Sequence, residues 1–127
     1  MTSPSGKKDN RKQKGAAAEE LAAAALIKKG YRILDRNWRC RFGELDIVAE
    51  TGETLVVIEV RSRSGTTRFG TPSESVNARK VMQVRNTAQQ YVHQKRYYER
   101  TIRFDVISVM LREDMTADSM DHIENAF

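Results

Sequence analysis

Acidic residues interrupt two stretches that otherwise resemble half-buried strands, GELDIVAE at 43–50 and TLVVIEVRSRS at 54–64. Strand interiors favour β-branched and aromatic residues and disfavour Asp, so Asp46 and Glu59 need a compensating interaction. Because side chains alternate along a strand, Arg61 lies on the same face as Glu59. Mg²⁺ prefers carboxylate and phosphate oxygens as ligands, and an arginine can bind a phosphate. This pattern predicts a Mg²⁺ or Mn²⁺ site used in phosphodiester hydrolysis.

The loop between the two stretches determines which acids face each other. A four-residue hairpin loop over 51–54, with Gly52 supplying a positive φ, pairs Asp46 with Glu59. Directly opposed side chains have Cβ atoms about 5 Å apart, so the two carboxylates would point together. A two-residue loop is the alternative, and there we expect Glu44 to oppose Glu59. In both registers the three acids share one face.

A purely structural role explains the same spacing. Opposite charges on neighbouring strands form salt bridges that contribute roughly 0.2 to 1 kcal/mol each. A cross-strand ladder of Asp46, Glu59, Arg61 and Arg63 would therefore need no metal and no substrate. The spacing alone leaves both interpretations open.

The elements around the acids follow from periodicity and capping residues. The segment 16–29, AAAEELAAAALIKK, predicts a helix that ends at Gly30, and YRILDRNWRC at 31–40 predicts an edge strand. TPSE at 71–74 predicts a capping box with Thr71 as N-cap, followed by a helix to about Tyr98. TIRFDVISVML at 101–111 predicts a further strand. Leu45 is expected to share a face with Ile47 and Ala49, and the C-terminal residues Ile123, Ala126 and Phe127 are expected to anchor on the body.

Length and charge limit the class of protein. The chain has 127 residues and a net charge of +5, which fits one domain with a polyanionic partner such as nucleic acid. Residues 1–14 are basic and polar and are expected to form a disordered arm, with a single domain over 15–127. No signal peptide or membrane span is apparent, and there is one cysteine, so we expect a cytoplasmic protein with no membrane partner. The candidate phosphate contacts are Arg36, Arg39, Arg41 and Arg63.

The acidic core resembles a known family. GELD followed by IEVRSR, with 13 residues from acid to acid, resembles the motifs of the YraN-type family (UPF0102), a Holliday junction resolvase-like group of the PD-(D/E)XK nuclease superfamily. The resemblance covers about residues 14–127 and extends to these further positions: Gly15, Glu19 and Ala22, GYRIL and RNWR at 30–39, Phe69 and Gly70, Lys80, RFDV at 103–106, and the terminal AF. It implies an α/β fold with a restriction-endonuclease-like core, in which a central mixed β-sheet is flanked by helices in the order αβββαβ.

The resemblance also implies residue roles. Asp46 and Glu59 would be metal ligands, with Glu19 as a third acid and its neighbour Glu20 as the competing choice. Glu44 would bind the metal through water or hold Arg61. The chain departs from the superfamily at Arg61, where lysine is usual. Arginine keeps the charge, but its pKa is too high for a general base.

A lysine from another element would then be needed near the acids. Lys80, on the helix after the acidic strands, is the candidate, although a solvated helix lysine explains it equally well.

Three functions remain to be distinguished. The first is a metal-dependent endonuclease that acts on branched or otherwise structured DNA. The alternative is a catalytically weak or inactive nucleic-acid-binding module on the same fold, which the arginine at position 61 favours. The third is a small interaction protein whose sheet acids are only salt-bridged. Resolvase-like relatives act as dimers, so the resemblance also leads us to expect a homodimer.

Overall fold

The computed structural model describes residues 6–64 and 77–127, with side chains from Arg11 onward. It is an α/β structure in which a five-stranded mixed sheet lies between two helices, in strand order β1-β2-β3-β4-β5. This arrangement is consistent with the predicted restriction-endonuclease-like core. The elements in chain order are α1 (Gly6–Lys28), β1 (Arg32–Cys40), β2 (Gly43–Thr51), β3 (Thr54–Ser64), α2 (Ala78–Lys95), β4 (Thr101–Leu111) and β5 (Ala117–Ile123).

The two most apolar strands lie at the centre of the sheet. β3 pairs with β4 in parallel, in register from Thr54 opposite Thr101 to Ser64 opposite Leu111. Parallel neighbours require a crossover, and α2 lies in the connection between them. The other strand pairs are antiparallel. Strands covered on both faces need apolar side chains on both faces, which explains the nearly continuous apolar run over 55–58.

Each helix covers one face of the sheet. Alanines Ala18, Ala22 and Ala23 of α1 are buried against the first face, together with Leu26, and their small side chains let the helix approach the strands closely. On the second face, α2 buries Val84, Ala88 and Tyr91 against the strands. Neither described helix is long and apolar enough to cross a membrane.

The first helix starts earlier than the sequence predicted. α1 begins at Gly6 instead of residue 16, so residues 6–14 of the expected disordered arm are helical. Lysine, arginine and glutamine are good helix formers, and extending an anchored helix costs far less than nucleating one. Lys14 also donates a hydrogen bond from Nζ to Ser64 Oγ at 2.9 Å, which ties this turn to the end of β3. Residues 1–5 lie outside the described residues.

The second helix is shorter than predicted. It begins at Ala78 after an extended N-cap, Asn77 (φ −87°, ψ 172°), whose side chain accepts a hydrogen bond from the Lys80 N–H. A helix that ran continuously from residue 72 is therefore wrong, because Asn77 is not helical. The predicted Thr71 cap lies outside the described residues. The helix ends at Lys95 because Arg96 takes a left-handed conformation with φ 60°.

A fifth strand was not predicted, so the element order is αβββαββ rather than αβββαβ. β5, ADSMDHI, is polar and lies at the sheet edge beside β4, where apolar alternation is not required. The predicted C-terminal anchor is confirmed. Phe127 packs with its ring centroid 5.4 Å from that of Phe104, and the Ala126 N–H donates to the Phe104 carbonyl at 2.8 Å.

Candidate active site

The strand that carries Asp46 changes face at that residue. Leu45 packs with the α2-side core and Ile47 with the α1-side core, although regular alternation would place both on one face. On the neighbouring strand, Asn37 lies between the partners of these two residues and has a left-handed backbone with φ 52°. Asparagine tolerates this conformation better than most residues. The prediction that Leu45 shares a face with Ile47 was therefore wrong, because Asn37 interrupts the regular strand.

Regular pairing between β2 and β3 stops next to the two acids. The strands pair from Thr51 opposite Thr54 to Ile47 opposite Ile58, and the same register places Asp46 opposite Glu59 as predicted. The loop has two residues, not four. The expectation that a two-residue loop would oppose Glu44 to Glu59 was wrong, because adding the Thr51 and Thr54 pair shortens the loop without shifting the register.

The carboxylates replace strand carbonyls as hydrogen-bond acceptors where the pairing stops. The Val60 N–H donates to Asp46 Oδ2 at 2.9 Å, and the Asp46 N–H donates to Glu59 Oε2 at 3.4 Å. Each acid therefore binds the backbone of the opposite strand. The exchange holds both side chains at the open end of the hairpin.

Burial disfavours the charged form of both carboxylates. Glu59 is only 1% exposed, and burial, followed by the nearby Asp46 charge, raises its pKa to about 7. Burial also raises the pKa of Asp46, against the lowering effect of the Val60 hydrogen bond. The two acids interact closely, so this titration belongs to the pair. The pair therefore holds a proton at a pH where an ordinary carboxyl group has lost it.

Two cations lie beside the pair. Nζ of Lys80 on α2 lies 3.6 Å from Glu59 Oε1, so this lysine is near the acids, as a role in the site requires. Arg61 donates a hydrogen bond from Nη1 to the Val60 carbonyl at 3.4 Å. Both charges lower the pKa of Asp46 and Glu59, but burial outweighs them. The two cations are thus too weak, against the burial of the acids, to keep both carboxylates fully ionised near neutral pH.

The remaining predicted acids lie at the margin of the pair. Glu19 is half-buried, and burial together with the Asp46 charge raises its pKa, while a hydrogen bond with Asn37 lowers it. Glu20 instead accepts a hydrogen bond from Arg36 at 2.9 Å and is largely exposed. Of the two competing α1 acids, Glu19 is therefore the one that faces the pair.

Glu44 has a different partner from the one predicted. Its Oε2 accepts a hydrogen bond from Arg39 Nε at 2.8 Å, so the expectation that it holds Arg61 was wrong. Its charge still raises the pKa of Asp46, which places it near the pair. Among the described residues, no ion pair joins Asp46 or Glu59 to Arg61 or Arg63, so the salt-bridge ladder is not formed there.

The predicted phosphate-contacting arginines are spread around the same end of the sheet. Arg36 and Arg39 already pair with acids, and Arg41 lies with its guanidinium carbon 5.2 Å from the centre of the Phe42 ring. Arg63 is half-buried near the end of β3. Arg39 is 77% exposed, so its second face is open to solvent.

The donor set fits a hard divalent cation bound through few protein ligands. No group of three or more His, Cys, Asp or Glu side chains converges as a metal cage within the described part of the chain. Mg²⁺ often takes only one or two carboxylates and completes its shell with water and substrate oxygens. Asp46 and Glu59 supply two adjacent carboxylates, which meets this requirement.

Two residues that position the site were not identified from the sequence. Asn37, opposite Asp46, has a left-handed backbone, and the only signal for it in RNWR was the asparagine itself, which takes this conformation more readily than most residues. Gly43 lies where a Cβ would come 2.9 Å from Thr87 Oγ1, so only glycine lets β2 approach α2 this closely. A glycine directly before an acidic strand was the available signal for such a close contact.

Comparison with known proteins identifies the family. The profile of the uncharacterised protein family UPF0102 matches residues 18–109, a range that contains all of the site acids. A UPF0102 protein of Moorella thermoacetica is 46% identical over 117 residues, which cover 92% of this chain and 97% of that protein. A UPF0102 protein of Alkaliphilus oremlandii is 48% identical over 118 residues, covering 91% and 98%. One from Myxococcus xanthus is 44% identical over 117 residues, covering 92% and 90%. The chain therefore belongs to the UPF0102 family, as its motifs predicted.

Proposed function

We propose that this protein is a metal-dependent endonuclease that hydrolyses phosphodiester bonds in branched or otherwise structured DNA. The observation that carries the proposal is the buried, adjacent pair of Asp46 and Glu59, whose ionised form is disfavoured by burial despite the nearby Lys80 and Arg61. Carboxyl groups with raised pKa values in such a position are typical of functional sites. The fold is consistent with a restriction-endonuclease-like core, and the sequence resembles the nuclease superfamily in the same residues.

Asp46 and Glu59 would hold Mg²⁺ or Mn²⁺. Glu19 and Glu44 lie near enough for their charges to affect Asp46 or be affected by it, and they would contact the metal through water. A divalent ion supplies a bound water of lowered pKa and offsets charge on a phosphate oxygen. The protein contributes the position of both carboxylates, which β2 and β3 fix through backbone hydrogen bonds.

The cations beside the acids would bind the substrate. Arg61 is fixed next to Glu59 by its hydrogen bond to Val60, so its guanidinium is available to a phosphate oxygen. Lys80 contacts Glu59 from α2, and its charge would favour the ionised form of that carboxylate when substrate binds. The exposed Arg39 and the neighbouring Arg41 would add contacts to the nucleic-acid backbone, which give salt-dependent affinity without sequence choice.

The experiment is cleavage of a substrate panel by the purified protein. Four-way junction, flap, single-stranded and duplex DNA are incubated with Mg²⁺, with Mn²⁺ and with EDTA. We expect cleavage of a structured substrate only with metal, and its loss in Glu59→Gln, with DNA binding retained because a negative charge near the phosphate is removed. Glu53→Gln is the matched control, since it makes the same change in the exposed turn of the same hairpin.

A binding module on the same fold is the second candidate. Lys80 already lies against Glu59, and arginine replaces the usual superfamily lysine at position 61, so the acids are partly neutralised without metal. Under this alternative the protein binds DNA but cleaves none of the four substrates, and Glu59→Gln changes nothing measurable. A homodimer also stays a prediction of the resemblance, and sedimentation equilibrium tests it.

A further inference from the structure

An exposed aromatic ring lies on the turn that leads into the acidic strand. Phe42 is one of the two residues that connect β1 to β2, between the paired residues Cys40 and Gly43. Its residue surface is 40% exposed. Two other aromatic residues, Trp38 and Tyr97, instead pack against the α2-side core.

The turn that carries this ring is held in place by α2 and by its own strand. Gln83 Nε2 donates to the Phe42 carbonyl at 3.3 Å, and the Phe42 N–H contacts Cys40 Sγ at 3.4 Å. The next residue, Gly43, packs so closely on Thr87 that no Cβ fits between them. The backbone is therefore fixed while the ring remains open to solvent, which lowers the entropy lost when a ligand binds the ring.

One face of α2 contacts both the acidic pair and the turn that carries Phe42. Lys80, which contacts Glu59, and Gln83, which contacts the turn, are three residues apart and so lie on one helix face. Phe42 and Asp46 are four positions apart in the chain, a span of about 13 Å at the usual strand rise. The ring is therefore close enough to the acids for one bound nucleic-acid segment to contact both.

The charges around the ring favour a nucleotide over an apolar partner. Arg41 lies 5.2 Å from the ring centre, and the exposed Arg39 is nearby on the same strand end. A π-face beside guanidinium groups is the combination that single-stranded nucleic acid uses, with the base stacked and its phosphate paired. Bases within an intact duplex are stacked on each other and cannot reach such a ring.

We propose that Phe42 binds an unpaired nucleobase by stacking and thereby selects DNA with a branch or single-stranded segment next to the acidic pair. This inference rests on the proposed function for its substrate class, and it assigns the preference for unpaired bases to one side chain. It does not depend on catalysis, because stacking requires only the ring and the neighbouring arginines.

Binding without metal tests the inference separately from cleavage. Fluorescence anisotropy in EDTA compares wild type, Phe42→Ala and Phe42→Trp on a flap, on single-stranded DNA and on a blunt duplex of equal length. A 2-aminopurine at the unpaired position next to the branch reports stacking. We expect Phe42→Ala to weaken flap and single-strand binding by about 5- to 100-fold and to leave the duplex unchanged. Phe42→Trp should keep both the affinity and the 2-aminopurine quenching.

Tyr98→Ala is the matched control. Tyr98 is also an exposed aromatic residue, but it lies between α2 and β4, next to His93 and not on the turn that carries Phe42. Equal losses on flap and duplex, an equal loss in Tyr98→Ala, or no loss in Phe42→Ala would each overturn the inference. If Phe42→Ala binds all three DNAs as wild type does but Glu59→Gln loses cleavage, the stacking proposal fails and the nuclease proposal stands. Conversely, Phe42-dependent binding without cleavage by wild type supports stacking on a binding module.

Discussion

Two buried acidic positions in this sheet have opposite environments. Asp105 on β4 is fully buried, like Glu59, but it accepts hydrogen bonds from several groups. Arg103 binds both of its oxygens at 2.9 and 2.8 Å, His122 Nε2 lies at 2.8 Å, and the Asn125 N–H donates at 3.1 Å. The protein thus satisfies Asp105 entirely from its own groups, which makes Asp105 a structural acid that ties β4, β5 and the C-terminus together.

The sequences around these positions are similar, which makes the difference instructive. Arg103 and Asp105 are two residues apart on one strand face, as are Glu59 and Arg61. In the first case arginine and acid form a two-point pair, whereas Arg61 donates to the Val60 carbonyl instead. Asp46 and Glu59 have hydrogen-bond partners, but burial still raises both of their pKa values, and buried carboxylates of this kind are typical of functional sites.

Matched amide substitutions should separate the two environments most strongly. Asp105→Asn removes the charge that pairs with the largely buried Arg103 and replaces one of the two oxygen acceptors at this position with an NH₂ donor, so we expect a loss of about 3 to 5 kcal/mol in the free energy of unfolding. Asp46→Asn removes a charge that repels Glu59 and still accepts from the Val60 N–H. Its free energy of unfolding at pH 8 should be unchanged or higher. Urea denaturation of both variants at pH 8 without metal measures the difference.

Equal destabilisation by the two substitutions would contradict the comparison, because it would mean that Asp46 is as structural as Asp105. A matching loss of DNA cleavage in Asp46→Asn alone would then have to be attributed to misfolding. Retained cleavage in Asp105→Asn, measured below its melting temperature, is the complementary expectation.

The sequence predicted the acidic pair but could not distinguish it from Asp105. Alternation placed the acids on one face, and the glycine-containing turn indicated the hairpin, but these local signals left two registers open. The partners of Asp105 include His122, 17 positions later, on a strand whose polar sequence gave no strand pattern. Long-range hydrogen bonding of this kind is not encoded in local periodicity.

The position of the lysine in the site was also not predictable from local sequence patterns. Lys80 reaches Glu59 from the first turn of α2, whose N-cap Asn77 was not predicted because the TPSE motif gave a competing cap. The left-handed Asn37 and the early start of α1 agree with local propensity, but propensity alone did not determine where the strand would change face or where the helix would begin.

The pH dependence of stability should be the next largest effect. The pKa of Glu59 is raised from 4.5 to about 7 by burial and by the Asp46 charge, so the folded state holds the proton more tightly than the unfolded chain. This contribution is complete below about pH 4.5 and is lost as the pH rises through about 7. Metal-free protein should therefore lose on the order of 3 kcal/mol between pH 5 and pH 8 from this pair. Urea denaturation at these pH values measures it, and Glu59→Gln should flatten the curve.

Divalent cations should reverse that loss where the pair is ionised. Millimolar Mn²⁺ is expected to raise the melting temperature at pH 8 more than at pH 5, because it binds the carboxylates only after they lose their proton. The same rise in Asp46→Asn, or none in wild type, would remove the metal from this site. Glu53→Gln in the exposed turn should respond as wild type does.

The smallest expected effect concerns the cation on the acidic strand. Arg61→Lys keeps a positive charge two residues from Glu59, so kcat/KM for DNA cleavage should change by less than about tenfold, whereas Arg61→Ala should lower it by about 10²-fold, the order seen when one charge-stabilising donor is lost. Lys80→Ala tests the alternative source of that charge, because Lys80 Nζ lies 3.6 Å from Glu59. Single-turnover cleavage rates, with melting temperatures as the folding control, measure all three. A large loss in Lys80→Ala with Arg61→Ala nearly silent would assign the substrate-binding cation to α2 and leave Arg61 with only its contact to the Val60 carbonyl.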